Sequence, residues 1–278
     1  MKGFLKCAAV AAVGLVLGVS GCEKKKDAPG VRTVRVAATA TDVLFSYLNS
    51  DDEYDGYEVA VLREVDKLLP QYEFKISGMD YAAMPVALEV GDISIAMYTL
   101  IRSEARKAKF LFPEQYTALI PESFVTQAAQ QNLNSISDFA GKTIACAVSD
   151  YRYSFLSSWN KAHPGAEFIL KGYSDASDTD LIRAVSKGDA DGAIVFPTTF
   201  DVVTKELGIT NLRLTPPAFI ADTSFMLAKN ETALCGDIDG AIKTLREDGT
   251  LSRLSNQYLG YDMFAAHAAQ FEAQGTVQ

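Results

Sequence analysis

The side chains able to carry covalent or metal chemistry are few and scattered along this chain. His163 and His267 lie far apart in polar surroundings, and no cysteine or histidine stands at zinc-ligand spacing. There is no Gly-x-Ser-x-Gly nucleophile elbow, no Gly-x-Gly-x-x-Gly turn and no phosphate-binding P-loop. Carboxylates are plentiful, but Asp175, Asp178 and Asp180 read as the capping residues and first-turn charge of a solvated helix start. Cys146 falls in an apolar strand pattern and reads as a buried free thiol. A bridge to Cys235 is chemically allowed outside the cytoplasm, though a chain of 278 residues needs none. Nothing in these residues announces catalysis, so no cofactor, no metal and no enzymatic activity is expected.

Binding is the remaining class, and the N-terminus says where it takes place. Lys2 and Lys6 precede an apolar run over 7–19, too short for a comfortable membrane span, and small residues Ser20 and Gly21 then precede Cys22. This is the layout of an export signal. Val19-Ser20-Gly21-Cys22 resembles the lipobox of bacterial lipoproteins, which implies that Cys22 carries diacylglycerol and begins the mature chain. Two or more acyl chains, at about 0.8 kcal/mol per buried methylene, would anchor it stably. The alternative is an ordinary secretory signal that happens to contain a cysteine. The formal net charge is −9, and −11 once Lys2 and Lys6 leave with residues 1–21. An acidic surface argues against nucleic acid and against broad contact with anionic lipid, so membrane contact is expected through the anchor alone. Residues 22–32 are polar and include Pro29-Gly30, a flexible tether.

Beyond the tether, strands and helices alternate. Residues 34–38 and 72–76 read as strands. Between them Val61, Leu62, Val65, Leu68 and Leu69 share one helical face that Pro70 ends. Glu89-Val90-Gly91-Asp92 and Ser186-Lys187-Gly188-Asp189 repeat one plan, a helix end, a glycine for a left-handed cap, then a buried strand over 93–97 or 193–196. Further strands are expected over 141–148 and 168–171 and a helix over 151–161. Helices near the end carry Ile238, Ala241, Ile242 and Leu245, then Leu251, Leu254 and Leu259. The pattern is α/β in two lobes.

Gly56-Tyr57-Glu58-Val59, Gly91-Asp92-Ile93-Ser94, Ser103-Glu104-Ala105-Arg106 and Phe112-Pro113-Glu114-Gln115-Tyr116 occur in an order that resembles the extracellular solute-binding proteins of amino-acid ABC transporters. Gly141-Lys142-Thr143-Ile144, Gly188-Asp189-Ala190-Asp191, Glu247-Asp248-Gly249-Thr250 and Tyr258-Leu259-Gly260 continue the match. The resemblance implies a type II periplasmic-binding-protein fold, with the ligand in a cleft between lobes joined by two hinge crossings. Lobe 1 would take 33–117 and 222–278, and lobe 2 would take 118–221. It implies a monomer that closes on a small molecule and presents it to a membrane permease.

On the same resemblance, Arg106 grips a ligand carboxylate, a task suited to a planar guanidinium. Tyr98, Thr99 and Ile101 surround the ligand with backbone and short polar groups, Tyr81 packs an aromatic face on it, and Phe45 stands with them. Ser149 and Asp150 open a helix whose free N–H groups favour an anion. Three positions depart from the pattern. Phe196 stands where an aspartate normally receives the α-ammonium, Asp42 replaces an aromatic lid, and Asp150 puts a carboxylate at the anion end. Either an acid has taken over cation recognition, or the ligand has no α-amine, or both acids are surface residues. Two rival functions remain: an enzyme on this scaffold resembling cyclohexadienyl dehydratases, with Asp150 or Asp42 as general acid, and a tethered sensor.

Overall fold

The computed structural model describes residues 30–42, 44–148, 150–174 and 176–274. The export signal and Cys22 therefore lie outside the described residues, as does Ser149. In chain order the first part holds β1 (Arg32–Ala38), β2 (Thr41–Asp42), β3 (Ser46–Leu48), β4 (Tyr54–Asp55), α1 (Tyr57–Leu68), β5 (Tyr72–Gly78), α2 (Met84–Val90), β6 (Ile95–Met97) and α3 (Glu104–Lys109). The second holds β7 (Ala118–Gln127), β8 (Thr143–Ala147), α4 (Tyr151–Ala162), β9 (Ile169–Tyr173), α5 (Asp178–Lys187), β10 (Gly192–Val195), α6 (Pro197–Leu207) and β11 (Leu212–Thr223). The chain returns through β12 (Met226–Leu227), α7 (Thr232–Glu247), α8 (Thr250–Leu259) and α9 (Met263–Gln274).

Two sheets result. The first runs β12-β6-β1-β5 and the second β11-β7-β10-β8-β9, with a small antiparallel sheet β2-β3-β4 beside the first. The cores of both sheets are parallel, β1 with β5 and β6, β8 with β9 and β10. Helix-connected parallel strands are covered on both faces, and their residues are accordingly apolar runs: Val34, Val36, Ala37 and Ala38 in β1, and Ala193, Ile194 and Val195 in β10, are all buried. In α1 the residues Val59, Val61, Leu62 and Val65 are buried as the periodicity requires, whereas Leu68 is 43% exposed because the helix ends there. Gly91 and Gly188 cap α2 and α5 at φ 78° and 79°, so the repeated sequence unit is a repeated structural one.

The lobes are joined by adjacent chains. β7 and β11 pair antiparallel from Thr223 opposite Ala118 outward, and the Thr117 N–H donates to the Thr223 carbonyl at 2.8 Å. α9 lies along both: the Leu119 N–H reaches the Met263 sulfur at 3.3 Å, the Ile220 N–H donates to Gln274 at 2.8 Å, and Gln270 donates to the Pro217 carbonyl at 3.0 Å. Cys146 is buried and Cys235 half-buried, both are free thiols, and burial pushes each up to about 11.

Gly56, just before α1, holds φ 118° with its Cα against the chain that leads into β3. A Cβ there would stand 2.5 Å from the Phe45 carbonyl oxygen. Gly56→Ala is expected to cost about 2–4 kcal/mol, combining the disfavoured φ with a clash against backbone. Urea unfolding of the variant checks this, and a loss under about 0.5 kcal/mol would mean the loop yields freely.

Candidate functional site

Between the two sheets lies a cavity of about 400 Å³, in the range of small-molecule sites. Its first wall is Asp42, Leu44, Phe45, Tyr98, Thr99 and Ile101. The opposite wall is Ile120 and Glu122 from β7, Tyr151 and Arg152 from the first turn of α4, Asp178 from the start of α5, and Phe196, Thr198, Thr199 and Val202 at and inside the start of α6. The walls approach each other at Phe45 and Phe196, whose ring centroids are 6.2 Å apart.

On the first wall the chain turns sharply after β6. Thr99 has φ 46°, a left-handed conformation that a β-branched residue adopts only under constraint. The constraint is Glu58 in the first turn of α1, 1% exposed, whose Oε1 accepts the Thr99 N–H at 2.8 Å. Burial, reinforced by the charge of Asp42 and opposed by the Thr99 N–H, pushes the Glu58 carboxyl up to about 8, so it keeps its proton at neutral pH. Burial also raises Asp42, although its Oδ1 accepts the N–H groups of Leu44 and Phe45, each at 3.3 Å.

The second wall is organised by Arg152. Its Nε and Nη2 meet the two oxygens of Glu122 at 2.9 and 3.1 Å, and its Nη1 reaches Asp178 at 3.2 Å and Asp150 at 3.4 Å. Asp150 also caps α4 by accepting the Arg152 N–H at 2.9 Å, and the Tyr151 hydroxyl donates to Glu122. Burial would lower the guanidinium's affinity for its proton, but Glu122 and the neighbouring acids carry it well above its ordinary value. Glu122, 1% exposed, is raised by burial and pulled back by Arg152.

Of the residues singled out in the sequence, the structure brings Asp42, Phe45, Tyr98, Thr99, Ile101 and Phe196 onto the cavity. Asp150 stands behind Arg152 rather than on the cavity. Tyr81 and Arg106 are neighbours of it: Arg106 donates to the Ile101 carbonyl at 3.0 Å and to the Tyr81 hydroxyl at 2.5 Å. The Tyr81 and Tyr98 rings, 4.8 Å apart, flank a second hollow of about 430 Å³. Asp178 is a correction: it is no solvated helix charge but an Arg152 partner on the cavity wall. Ser177 and Asp180 form the capping box of α5 as expected for a helix start; Asp175 lies outside the described residues. Glu58, Glu122 and Arg152 carry no local sequence mark of their role, since Thr99 lies 41 positions from Glu58 and Glu122 lies 30 from Arg152. Among the described residues no group of three or more His, Cys, Asp or Glu could hold a metal ion, and no helix is long and apolar enough to cross a membrane.

Two α/β lobes with a walled cavity between them define a periplasmic-binding-protein fold, and the chain belongs to the bacterial extracellular solute-binding proteins, family 3, whose profile matches residues 34–261. Among individual relatives, it is 28% identical over 228 residues to the L-cystine-binding protein TcyJ of Bacillus subtilis, covering 82% of this chain and 84% of that one. It is 27% identical over 250 residues to the L-cystine-binding protein TcyK of the same organism, covering 89% and 92%. The crystal structure of the probable amino-acid ABC transporter extracellular-binding protein ytmK from Bacillus subtilis superposes with a TM-score of 0.68 at 25% identity, over 83% of this chain and 98% of that one.

Proposed function

We propose that this solute-binding protein is a lipid-anchored receptor that delivers an amino acid or close analogue bearing a carboxylate to the permease of an ABC importer. Its lobes are 33–117 with 222–278, and 118–221, and it works as a monomer held at the membrane by Cys22. The observation that carries the reading is the cavity between the lobes, with Tyr98 and Thr99 on one wall facing Arg152 and Phe196 on the other. A ligand there touches both lobes at once and favours the closed form. The names of the cystine-binding relatives put L-cystine first among ligands to try. The receptor returns its ligand unchanged, which separates it from an enzyme on the same scaffold.

The test is a thermal-shift screen of the chain, stripped of carried-over ligand by unfolding and refolding, against amino acids including L-cystine and their deaminated analogues. A ligand at 100 times its dissociation constant adds about 2.7 kcal/mol to stability. No shift with any compound would refute the receptor reading.

Arg106 is the proposed carboxylate grip. It is half-buried at the rim with two donors aimed at neutral oxygens, a state from which it can swing to a carboxylate. Arg106→Ala is expected to weaken binding about 100-fold or more while moving stability by under about 1 kcal/mol. Titration calorimetry beside urea unfolding checks both halves, and unchanged affinity would remove Arg106 from the site.

A further inference from the structure

The cavity carries more negative charge than positive. Asp42 faces it from one wall and Glu122 and Asp178 from the other, with Arg152 the single cationic residue lining it among the described residues. That guanidinium is engaged already, by both oxygens of Glu122 and by one oxygen each of Asp178 and Asp150. An anion entering here would meet a cation whose field is neutralised and four of whose five N–H donors are engaged. Asp42 is different, because its Oδ1 is held by two backbone N–H groups and it makes no ion pair among the described residues. Asp178 gives Arg152 only Oδ1. The aromatic rings of Phe45, Tyr98 and Phe196 border the same space, and their faces attract cations. Tyr98 lies within reach of acids on both walls: burial, then the charges of Asp42, Tyr81 and Asp178, raise its hydroxyl above the usual range.

We infer that the ligand carries an ammonium group and that this group seats between Asp42 of one lobe and Asp178 of the other, against the rings of Phe45, Tyr98 and Phe196. The inference rests on the receptor reading above and deepens it. Phe196 supplies no carboxylate, so the cation is received by residues elsewhere on the walls. An acid from each lobe meets the ammonium fully only when the lobes approach, so the charge itself drives closure. Arg152 is a positioning residue: it holds Asp178 and Glu122 in place.

The test uses one disulfide skeleton with its charges changed: L-cystine with ammonium and carboxylate groups, cystamine with ammonium groups alone, and 3,3′-dithiodipropionate with carboxylates alone. Each is titrated calorimetrically into the refolded full chain in detergent at pH 7. Dithiodipropionate is expected to bind about 100-fold or more weaker than L-cystine, the loss of a charged hydrogen-bonded group, with cystamine retaining measurable binding. Asp178→Asn is expected to weaken L-cystine about 10- to 100-fold and, by releasing Arg152 from one of its acids, to leave dithiodipropionate no weaker than before. The selectivity between the two then collapses, whereas a merely structural role would lower both alike. Dithiodipropionate binding as tightly as L-cystine would overturn the inference and leave the receptor reading standing, as would an Asp178→Asn chain with its selectivity intact. Silence from all three compounds would overturn the inference and, with it, a cystine-type ligand for the receptor.

Discussion

Glu58→Gln is expected to make the protein more stable than the wild type above pH 8, an advantage that builds up steeply between about pH 4.5 and 8. The folded chain holds the Glu58 proton up to about 8, against 4.5 for an ordinary glutamate. Between those values the folded state therefore binds more protons than the unfolded one, so the unfolding free energy falls as pH rises. The stabilising contribution is complete below about pH 4.5 and gone above about pH 8. At about 1.4 kcal/mol per unit, the window amounts to about 3–5 kcal/mol. Glutamine keeps an oxygen for the Thr99 N–H and has no proton to lose. Glu122 and Asp178 are raised by burial too, and Asp55 is lowered by its hydrogen bonds to Gly56 and Tyr258 despite burial, but these are common to both chains; Asp42, also raised by burial, is coupled to Glu58 through its charge and titrates as part of the same difference. Subtracting the two stability profiles, measured by urea unfolding from pH 5 to 9, isolates Glu58 with its coupling to Asp42. A flat difference would show that the carboxyl is already ionised beneath the ligand cavity.

Arg152→Leu is expected to lose about 3–5 kcal/mol of stability, the cost of stranding a buried charge. Leucine fills much of the volume but leaves Glu122 unpaired inside the protein and returns nothing to Asp178 or Asp150. Lysine would not substitute, because one ammonium cannot span both Glu122 oxygens as the planar fork does. Adding Glu122→Gln to the Arg152→Leu chain removes the stranded charge and is expected to return more than half of the loss. Urea unfolding of the single and double variants measures this. A double variant no better than Arg152→Leu would mean that packing, rather than charge, dominates at this position.

What the sequence makes legible here are features decided within one turn or one strand. The buried stripe of α1, the glycine ends of α2 and α5, and the parallel strands beside them follow from periodicity and backbone chirality alone. The order of short motifs leads to Tyr98, Thr99 and Phe196, which border the cavity. The second wall is a different matter. Arg152 sits between two tyrosines on a helix that looks half-solvated, and Asp178 looks like an ordinary first-turn acid. Only when β7 carries Glu122 past both does the buried Arg152–Glu122 pair at the centre of the charge network exist. Glu58 is opaque for a related reason, since its neighbours Tyr57 and Val59 say "core" while its partner Thr99 arrives from across the sheet. Long-range pairing of charges has no period to betray it.

The C-terminal helix α9 grips β7 and β11 beside the crossings between the lobes and contributes no residue to the cavity wall. The residues that line the cavity and those that brace the crossings thus belong to separate stretches of chain. Apparent affinity scales with the fraction of molecules in the binding-competent form. On the receptor reading, substitutions at Gln270 or Gln274 are expected to change how tightly a solute is held rather than which solute is chosen.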